Sequence, residues 1–117
     1  MIVDDEADIT DMLKVGLERR GFKVDTFNDS ELALSKFKPG GYDIAILDIR
    51  MPKLNGFELY REMRKVDDKT RVCFLTAFDV LQGEFEKMFP NMKVAAFLKK
   101  PITIDNLVTR LQDLLAA

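Results

Sequence analysis

Apolar positions along the chain follow two patterns, one typical of strands and one typical of helices. The runs Ile44–Leu47 and 72–75 are continuously apolar, which is typical of central strands in a parallel sheet covered by helices on both faces. Residues 22–27 alternate between apolar and polar, so we expect a partly solvated strand near a sheet edge. Ile2–Val3 and 94–98 complete five predicted strands.

Five helices are predicted between and after these strands, because apolar residues recur at spacings of three and four. The spacings place them at about 7–20, around 32–37, from 55 to about 65, from 79 to 88 and from 103 through 115. Side chains able to cap their amino ends stand at the expected positions. The candidate caps are Asn28, Asp29 or Ser30 for the second helix, Asn55 with Glu58 for the third, Asp79 for the fourth and Thr103 for the last.

The alternation of strands with helices determines the fold class. Parallel strands need helical crossovers, and those crossovers are right-handed in nearly all proteins. We therefore predict an α/β fold, a doubly wound five-stranded parallel sheet with helices on both faces. A chain of 117 residues fits one domain of this kind, residues 1–117.

Composition and charge narrow the classes of protein that fit this fold. A net charge of −2 supplies no positive field for phosphate backbones or lipid surfaces, so we expect neither direct nucleic-acid binding nor membrane binding. No apolar run approaches the ~18 residues that span a bilayer. The single Cys73, in an apolar run, fits a reducing compartment, and we expect a cytoplasmic protein. Since the chain has no His, its chemistry must use carboxylates, hydroxyls and lysines.

Polar side chains follow four of the predicted strands. Asp4 and Asp5 follow the first strand, Asp48 the third, Thr76 the fourth and Lys100 the fifth. In open α/β sheets, ligands bind beyond the carboxyl ends of the strands. Carboxylates crowded there repel one another unless a cation compensates them, and Mg²⁺ prefers such oxygen ligands. Because a hydroxyl and an ammonium suit phosphoryl oxygens, the sequence predicts a site for Mg²⁺ and a phosphoryl group.

Each of these residues also has an ordinary structural interpretation. Asp48 could cap a turn, the acidic pair could begin a helix favoured by its dipole, Thr76 could form a turn, and Lys100 could be a surface charge. Four strand ends, each carrying a residue type that one phosphoryl and metal site requires, are improbable as a coincidence. The conjunction therefore favours the functional interpretation.

The chain resembles the receiver domain family of two-component response regulators over essentially its whole length. The resemblance rests on four motifs in the family's order and spacing. They are Val-Asp-Asp-Glu at 3–6, Leu-Asp-Ile-Arg-Met-Pro at 47–52 followed by Gly56, Leu-Thr-Ala at 75–77, and Phe-Leu-Lys-Lys-Pro at 97–101. Any one motif alone is weak evidence, whereas the set is specific. The resemblance also implies the strand order 2-1-3-4-5.

The resemblance implies a role for each candidate residue. Asp48 is expected to accept a phosphoryl group, and Thr76 and Lys100 to bind its oxygens. The implied Mg²⁺ ligands are Asp4, Asp5, Asp48 and the backbone carbonyl of Arg50, with Asp4 acting largely through water. Thr76 and Phe97 are implied to switch an interaction face after phosphorylation. Phe97 has no hydroxyl, so its part in a switch depends on packing.

The implied partners are a histidine kinase or phosphotransfer protein, which supplies the phosphohistidine, and an unknown downstream protein or effector domain. The domain would assist its own phosphorylation and dephosphorylation without being an enzyme. A receiver-like interaction module that no longer uses phosphorylation remains the alternative. A haloacid dehalogenase-type phosphatase fits less well, because the acidic pair precedes Asp48 and Arg50 stands where that family carries a general acid. A flavodoxin-like carrier of flavin mononucleotide lacks its Gly-rich and hydroxyl-rich loop after the first strand.

Overall fold

The computed structural model describes residues 1–77, 86–87, 90 and 95–116. Within these residues the strands are β1 (Ile2–Val3), β2 (Thr26–Phe27), β3 (Ile44–Leu47), β4 (Arg71–Thr76) and β5 (Ala96–Lys99). The helices are α1 (Ala7–Glu18), α2 (Ser30–Lys36), α3 (Gly56–Val66) and α4 (Ile104–Ala116). The predicted helix at 79–88 lies outside the described residues, apart from 86–87, which are helical. No helix in the described ranges is long and apolar enough to cross a membrane.

The strands form one parallel sheet in the order β2-β1-β3-β4-β5. This confirms the predicted order and the prediction that the second strand lies at an edge. In register, Val3 of β1 pairs with Leu47 of β3, and Thr76 of β4 pairs with Lys99 of β5. The carboxyl ends of the four strands with candidate site residues therefore lie side by side along one edge of the sheet.

Two apolar cores cover the two faces of the sheet, as the continuous apolar runs predict. In β4, alternate residues enter different cores because successive strand side chains point to opposite faces. The core facing α2 and α3 includes Val3, Ala33, Phe37, Leu47, Leu59, Tyr60, Met63, Val72 and Phe74. The core facing α1 and α4 includes Ile2, Leu13, Leu17, Ile46, Cys73, Leu75, Leu107, Val108 and Leu111. Burying each large apolar side chain contributes about 1.5–3 kcal/mol, so the sheet is fixed from both sides.

Cys73 is fully buried in the second core, as its place in an apolar run predicts. Burial raises the pKa of its thiol to about 12. The thiol therefore remains protonated at neutral pH and packs as a small apolar side chain.

Several element boundaries differ from the prediction, and β4 is longer by one residue at each end. The edge strand comprises Thr26–Phe27 and not 22–27, because its neighbour β1 contributes Ile2–Val3 to the pairing. The first helix ends at Glu18, two residues early, and the chain then turns through Gly21, whose φ of 92° favours glycine. The last strand is Ala96–Lys99, so it extends one residue beyond the predicted end. Residue 94, the predicted start, lies outside the described part of the chain.

The predicted caps of α2 and α3 are present. Among the three candidates for α2, Asp29 is the cap, and its side chain accepts hydrogen bonds from the backbone N–H groups of Glu31 and Leu32. At α3, Asn55 and Glu58 form a reciprocal capping box. Such a cap stabilises its helix by about 1 kcal/mol, so both helices begin at defined positions beside the site.

Candidate functional site

Backbone hydrogen bonds hold the strand ends of the candidate site in register. The N–H of Asp48 donates to the carbonyl of Val3 at 2.9 Å, which places Asp48 beside Asp4. The N–H of Lys100 donates to the carbonyl of Thr76 at 2.8 Å. The peptide bond between Lys100 and Pro101 is cis. The residues predicted from four separate strands are therefore brought together at one edge of the sheet.

Lys100 lies between the two buried carboxylates of the site. Its Nζ is 2.5 Å from Oδ2 of Asp4 and 3.6 Å from Oδ2 of Asp48. Asp4 is 3% exposed and Asp48 is 7% exposed, so solvent screens these interactions weakly. Burial acts to lower the pKa of Lys100, but the hydrogen bond to Asp4 and the charges of Asp48 and Asp4 outweigh it, and the pKa is raised. Lys100 is therefore a cation at neutral pH.

Asp48 is held in a strongly anionic environment. Burial raises its pKa, and the negative charges of Asp4 and, to a lesser extent, Asp5 raise it further. Lys100 and the hydrogen bond from the N–H of Ile49 to Oδ1, at 2.8 Å, act in the opposite direction. The resulting pKa is about 6. Burial and the neighbouring carboxylates therefore outweigh the ammonium of Lys100 in setting the pKa of Asp48.

The carboxylates of this site can accommodate a second cation besides Lys100. Carboxylate oxygens of Asp4, Asp5 and Glu6 lie within 4.8 Å of one another, with Asp4 buried and the other two exposed. The N–H of Glu6 also donates to Oδ1 of Asp4 at 2.9 Å, which orients that carboxylate. Since Mg²⁺ takes a few carboxylate oxygens and retains several waters, these residues and Asp48 fit such an ion. Glu6 was not among the predicted ligands, although its place next to the acidic pair was a signal for it.

A backbone hydrogen bond joins the two ends of the loop that follows Asp48. Gly56 donates its N–H to the carbonyl of Ile49 at 2.8 Å. A Cβ at Gly56 would lie 2.3 Å from the carbonyl oxygen of Asp48, so a side chain there would collide with the backbone of the site. Arg50, whose carbonyl is a predicted metal ligand, lies on this loop two residues after Asp48.

The two predicted switch residues lie on adjacent strands. Thr76 is buried at the end of β4. Phe97 in β5 is partly exposed, and its ring centroid lies 5.3 Å from that of Phe74. Their rearrangement on phosphorylation remains a prediction.

Asn28 and Thr10 contact the segment that carries Asp4, and the sequence predicted neither contact. Asn28 was one of three candidate caps for α2, whereas Thr10 had no predicted role. The Nδ2 of Asn28 donates to the carbonyl of Asp4 at 2.8 Å and to Oγ1 of Thr10 at 2.9 Å. Thr10 is fully buried, and its hydroxyl donates to the carbonyl of Ala7. The position of Asn28 after an edge strand was the available signal, but its partners become visible only in the folded chain.

Comparison with known proteins agrees with this geometry. Residues 1–112 match the family model of the response regulator receiver domain. The chain is 33% identical over 115 residues to the transcriptional regulatory protein TrcR of Mycobacterium tuberculosis, covering 98% of this chain and 44% of that protein. It is 36% identical over 117 residues to the CpxR homolog of Haemophilus influenzae, covering 98% and 49% respectively. The chain therefore spans about half the length of these curated relatives.

Solved structures show the same architecture. A CheY-like response regulator receiver domain from Methanospirillum hungatei superposes with a TM-score of 0.87 at 26% identity, covering 98% of this chain and 90% of that one. The response regulator TrrA of Thermotoga maritima, solved in complex with Mg²⁺ and beryllofluoride, gives a TM-score of 0.82 at 32% identity, with coverages of 97% and 95%. The chain belongs to the response regulator receiver domain family of two-component systems.

Proposed function

We propose that this domain acts in a phosphorelay by accepting a phosphoryl group onto Asp48 in a Mg²⁺-dependent reaction. The donor is a phosphohistidine on a partner histidine kinase or phosphotransfer protein, because this chain has no His of its own. The observation that carries the proposal is the position of Lys100 between the buried carboxylates of Asp4 and Asp48. A cation at that place can bind an oxygen of a phosphoryl group attached to Asp48.

In the transfer, a carboxylate oxygen of Asp48 forms a bond to phosphorus while the bond between phosphorus and the partner's imidazole nitrogen breaks. The electron pair of the broken bond stays on the imidazole, and the product is an aspartyl phosphate. Such transfers depend mainly on positioning and on stabilising the charge of the transferred group. The hydrogen bond from Ile49 fixes the Asp48 carboxylate, so its Oδ2 faces the cation of Lys100.

Lys100 and Thr76 would bind two oxygens of the transferred group. The ammonium of Lys100 supplies a positive charge inside a buried site, where its interaction is stronger than in water. The hydroxyl of Thr76 supplies a hydrogen-bond donor from the adjacent strand end. Because the backbone bond from Lys100 to Thr76 joins these two strand ends, both groups keep their positions relative to Asp48.

Asp4, Asp5, Asp48 and the carbonyl of Arg50 would hold Mg²⁺, with Glu6 close enough to contribute through water. The ion would neutralise charge on the phosphoryl oxygens during transfer. Support comes from the carboxylate cluster and from the raised pKa of Asp48, which burial and then the negative charge of Asp4 cause. The structure of TrrA with Mg²⁺ and beryllofluoride supports the same assignment by family.

The consequence of phosphorylation would be a change in a protein-interaction face through Thr76 and Phe97. Added charge and acceptor oxygens beside Thr76 favour its movement toward the phosphoryl group. The half-buried Phe97, packed against Phe74, could then repack.

We place this activity in the cytoplasm, with an unidentified protein or effector domain as the recipient of the signal. Because these curated relatives are named transcriptional regulatory proteins, we infer that the domain serves in a regulator of transcription. The domain takes part in its own phosphorylation and dephosphorylation but is not an enzyme acting on a separate substrate.

Intact-protein mass spectrometry after incubation with acetyl phosphate tests the proposal. The wild type should gain the mass of one phosphoryl group with Mg²⁺ and not with EDTA, whereas Asp48→Asn should gain none. Asp43→Asn is the matched control, since Asp43 is an exposed carboxylate just before the opposite end of β3 and should react like the wild type. An unmodified wild type, with a native fold by circular dichroism, would favour an interaction module that does not use phosphorylation.

A further inference from the structure

The acceptor loop, residues 48–55, carries both Asp48 and Arg50 and contains a strained residue. Lys53 has a φ of 69°, a left-handed conformation that side chains other than Gly, Asn and Asp seldom adopt. Such a conformation persists only where the surrounding structure fixes it. The contacts on either side of Lys53 therefore decide the path of the loop.

Both neighbours of Lys53 are bound by one buried hydroxyl. The Oγ of Ser30 donates to the carbonyl of Pro52 at 3.2 Å and accepts from the N–H of Leu54 at 3.1 Å. Ser30 is 2% exposed, so water does not readily replace either bond. A single side chain thus fixes the residues before and after the strained position.

The hydroxyl of Ser30 is directed to the loop and not to its own helix. Ser30 is the first residue of α2, but the side chain of Asp29 caps that helix through Glu31 and Leu32. The partners of Ser30 are 22 and 24 residues distant in sequence. Removing the hydroxyl should therefore leave the cap of α2 intact and release the loop.

An ion pair also joins α2 to the loop, but it is a weaker restraint. Lys53 Nζ lies 2.6 Å from Oδ2 of Asp29, and the two side chains are 52% and 38% exposed. Exposed pairs of this kind are screened by water and salt and contribute little. The buried bonds of Ser30 are therefore the stronger of the two polar links between α2 and the loop.

We propose that Ser30 is a positioning residue for the phosphoacceptor site. By fixing Pro52 and Leu54 it sets the course of the acceptor loop, and with it the direction of the Arg50 carbonyl and the placement of that carbonyl relative to Asp4, Asp5 and Asp48. It contacts neither the phosphoryl group nor the metal ion. The inference rests on the proposed function, because it assigns Ser30 a role in Mg²⁺ binding and phosphoryl acceptance at that site.

The test compares Ser30→Ala with Ser35→Ala. Ser35 lies on the same helix, is exposed, and its hydroxyl donates to the carbonyl of Leu32 in its own helix, so it controls for loss of a serine hydroxyl from α2. Isothermal titration calorimetry should show Mg²⁺ binding about 10-fold weaker in Ser30→Ala than in Ser35→Ala. Hydrogen exchange should be faster at the Leu54 amide, and adduct formation with acetyl phosphate should be slower at equal Mg²⁺.

Ser30→Thr, which keeps the hydroxyl, separates positioning from simple loss of stability. The inference predicts that Thr restores most of the Mg²⁺ affinity that Ala removes. It is overturned if Ser30→Ala binds Mg²⁺ like Ser35→Ala, or if Thr loses as much affinity as Ala. In both cases a wild type that forms the adduct leaves the proposed function standing. A wild type that neither binds Mg²⁺ nor forms the adduct overturns the proposed function and this inference together.

Discussion

Lys100 donates a 2.5 Å hydrogen bond to Asp4, while its distance to Asp48 is 3.6 Å. The cation expected to bind a phosphoryl group is thus paired with a carboxylate expected to hold Mg²⁺. Metal binding at Asp4 would weaken that pair and free the ammonium to turn toward Asp48. The two predicted functions of the site, metal binding and phosphoryl binding, are therefore linked through one side chain.

Replacing this cation should separate the two functions. In Lys100→Met, Mg²⁺ affinity should be unchanged or a few-fold tighter, because the carboxylates lose a competing positive charge. Formation of the aspartyl phosphate from acetyl phosphate should be about 100-fold slower, since a preorganised charge at the phosphoryl oxygen is lost. Calorimetry for Mg²⁺ and mass spectrometry for the adduct measure the two effects.

Lys99→Met is the matched control for the loss of Lys100. It removes the same charge from the adjacent, exposed position at the end of β5 and should change neither quantity appreciably. If Lys100→Met weakened Mg²⁺ binding as much as it slowed the adduct, the assignment of Lys100 to the phosphoryl group would be wrong.

Asp48 should destabilise the metal-free fold at neutral pH. Its pKa is raised from the ordinary 3.8 to about 6 by burial and by Asp4, so the folded state disfavours the charged carboxylate. That cost is absent below pH 3.8, grows as pH rises toward 6, and is complete above it. Asp48→Asn should therefore be more stable than the wild type at pH 7.5 by about 3 kcal/mol, and equally stable near pH 3.5. Urea unfolding in EDTA at several pH values measures the difference.

Mg²⁺ should reduce this difference at pH 7.5, because the ion binds the folded wild type and compensates the carboxylate. The variant Asp43→Asn, which removes an exposed charge near the other end of the same strand, controls for the change in net charge. A stability difference for Asp48→Asn that is the same at pH 3.5 and pH 7.5 would be inconsistent with a buried, destabilised carboxylate.

Gly56 should tolerate no side chain. In Gly56→Ala the Cβ meets the carbonyl oxygen of Asp48 at 2.3 Å and the Cα of Ile49 at 2.8 Å, and backbone atoms cannot move without displacing the loop. We expect a loss of about 2–3 kcal/mol in unfolding free energy, together with weaker Mg²⁺ binding, as measured by urea unfolding and calorimetry.

Gly16→Ala is the comparison for Gly56→Ala. Its Cβ meets the outer atoms of the Ile104 side chain at 2.5–2.6 Å, which can change rotamer, and Ala gains about 1 kcal/mol over Gly inside a helix. Gly16→Ala should therefore cost less stability and leave Mg²⁺ binding unchanged. If Gly16→Ala lost as much stability and Mg²⁺ affinity as Gly56→Ala, the losses at Gly56 could not be assigned to its contact with the backbone of Asp48 and Ile49.

The sequence predicts the sheet and the proximity of Asp4, Asp48 and Lys100, since both depend on local patterns. Buried strands appear as apolar runs, and the residues that end them, such as Asp48 and Lys100, are adjacent in sequence to those runs. Strand lengths are less predictable, because the length of the edge strand β2 depends on how many residues of its neighbour β1 pair with it. The contacts of Ser30 could not be predicted, because three consecutive polar residues all suit a cap and only the folded chain shows which side chain reaches Pro52 and Leu54.

The identity of the modified residue tests the central claim most directly. After reaction with acetyl phosphate and Mg²⁺, reduction with borohydride converts an aspartyl phosphate to homoserine, and tandem mass spectrometry locates it. We predict homoserine at position 48, in amounts that depend on Mg²⁺, and none at that position without acetyl phosphate. Homoserine at Asp4 or Asp5 in place of Asp48, or at no position in a folded protein, would contradict the assignment of Asp48 as the phosphoacceptor.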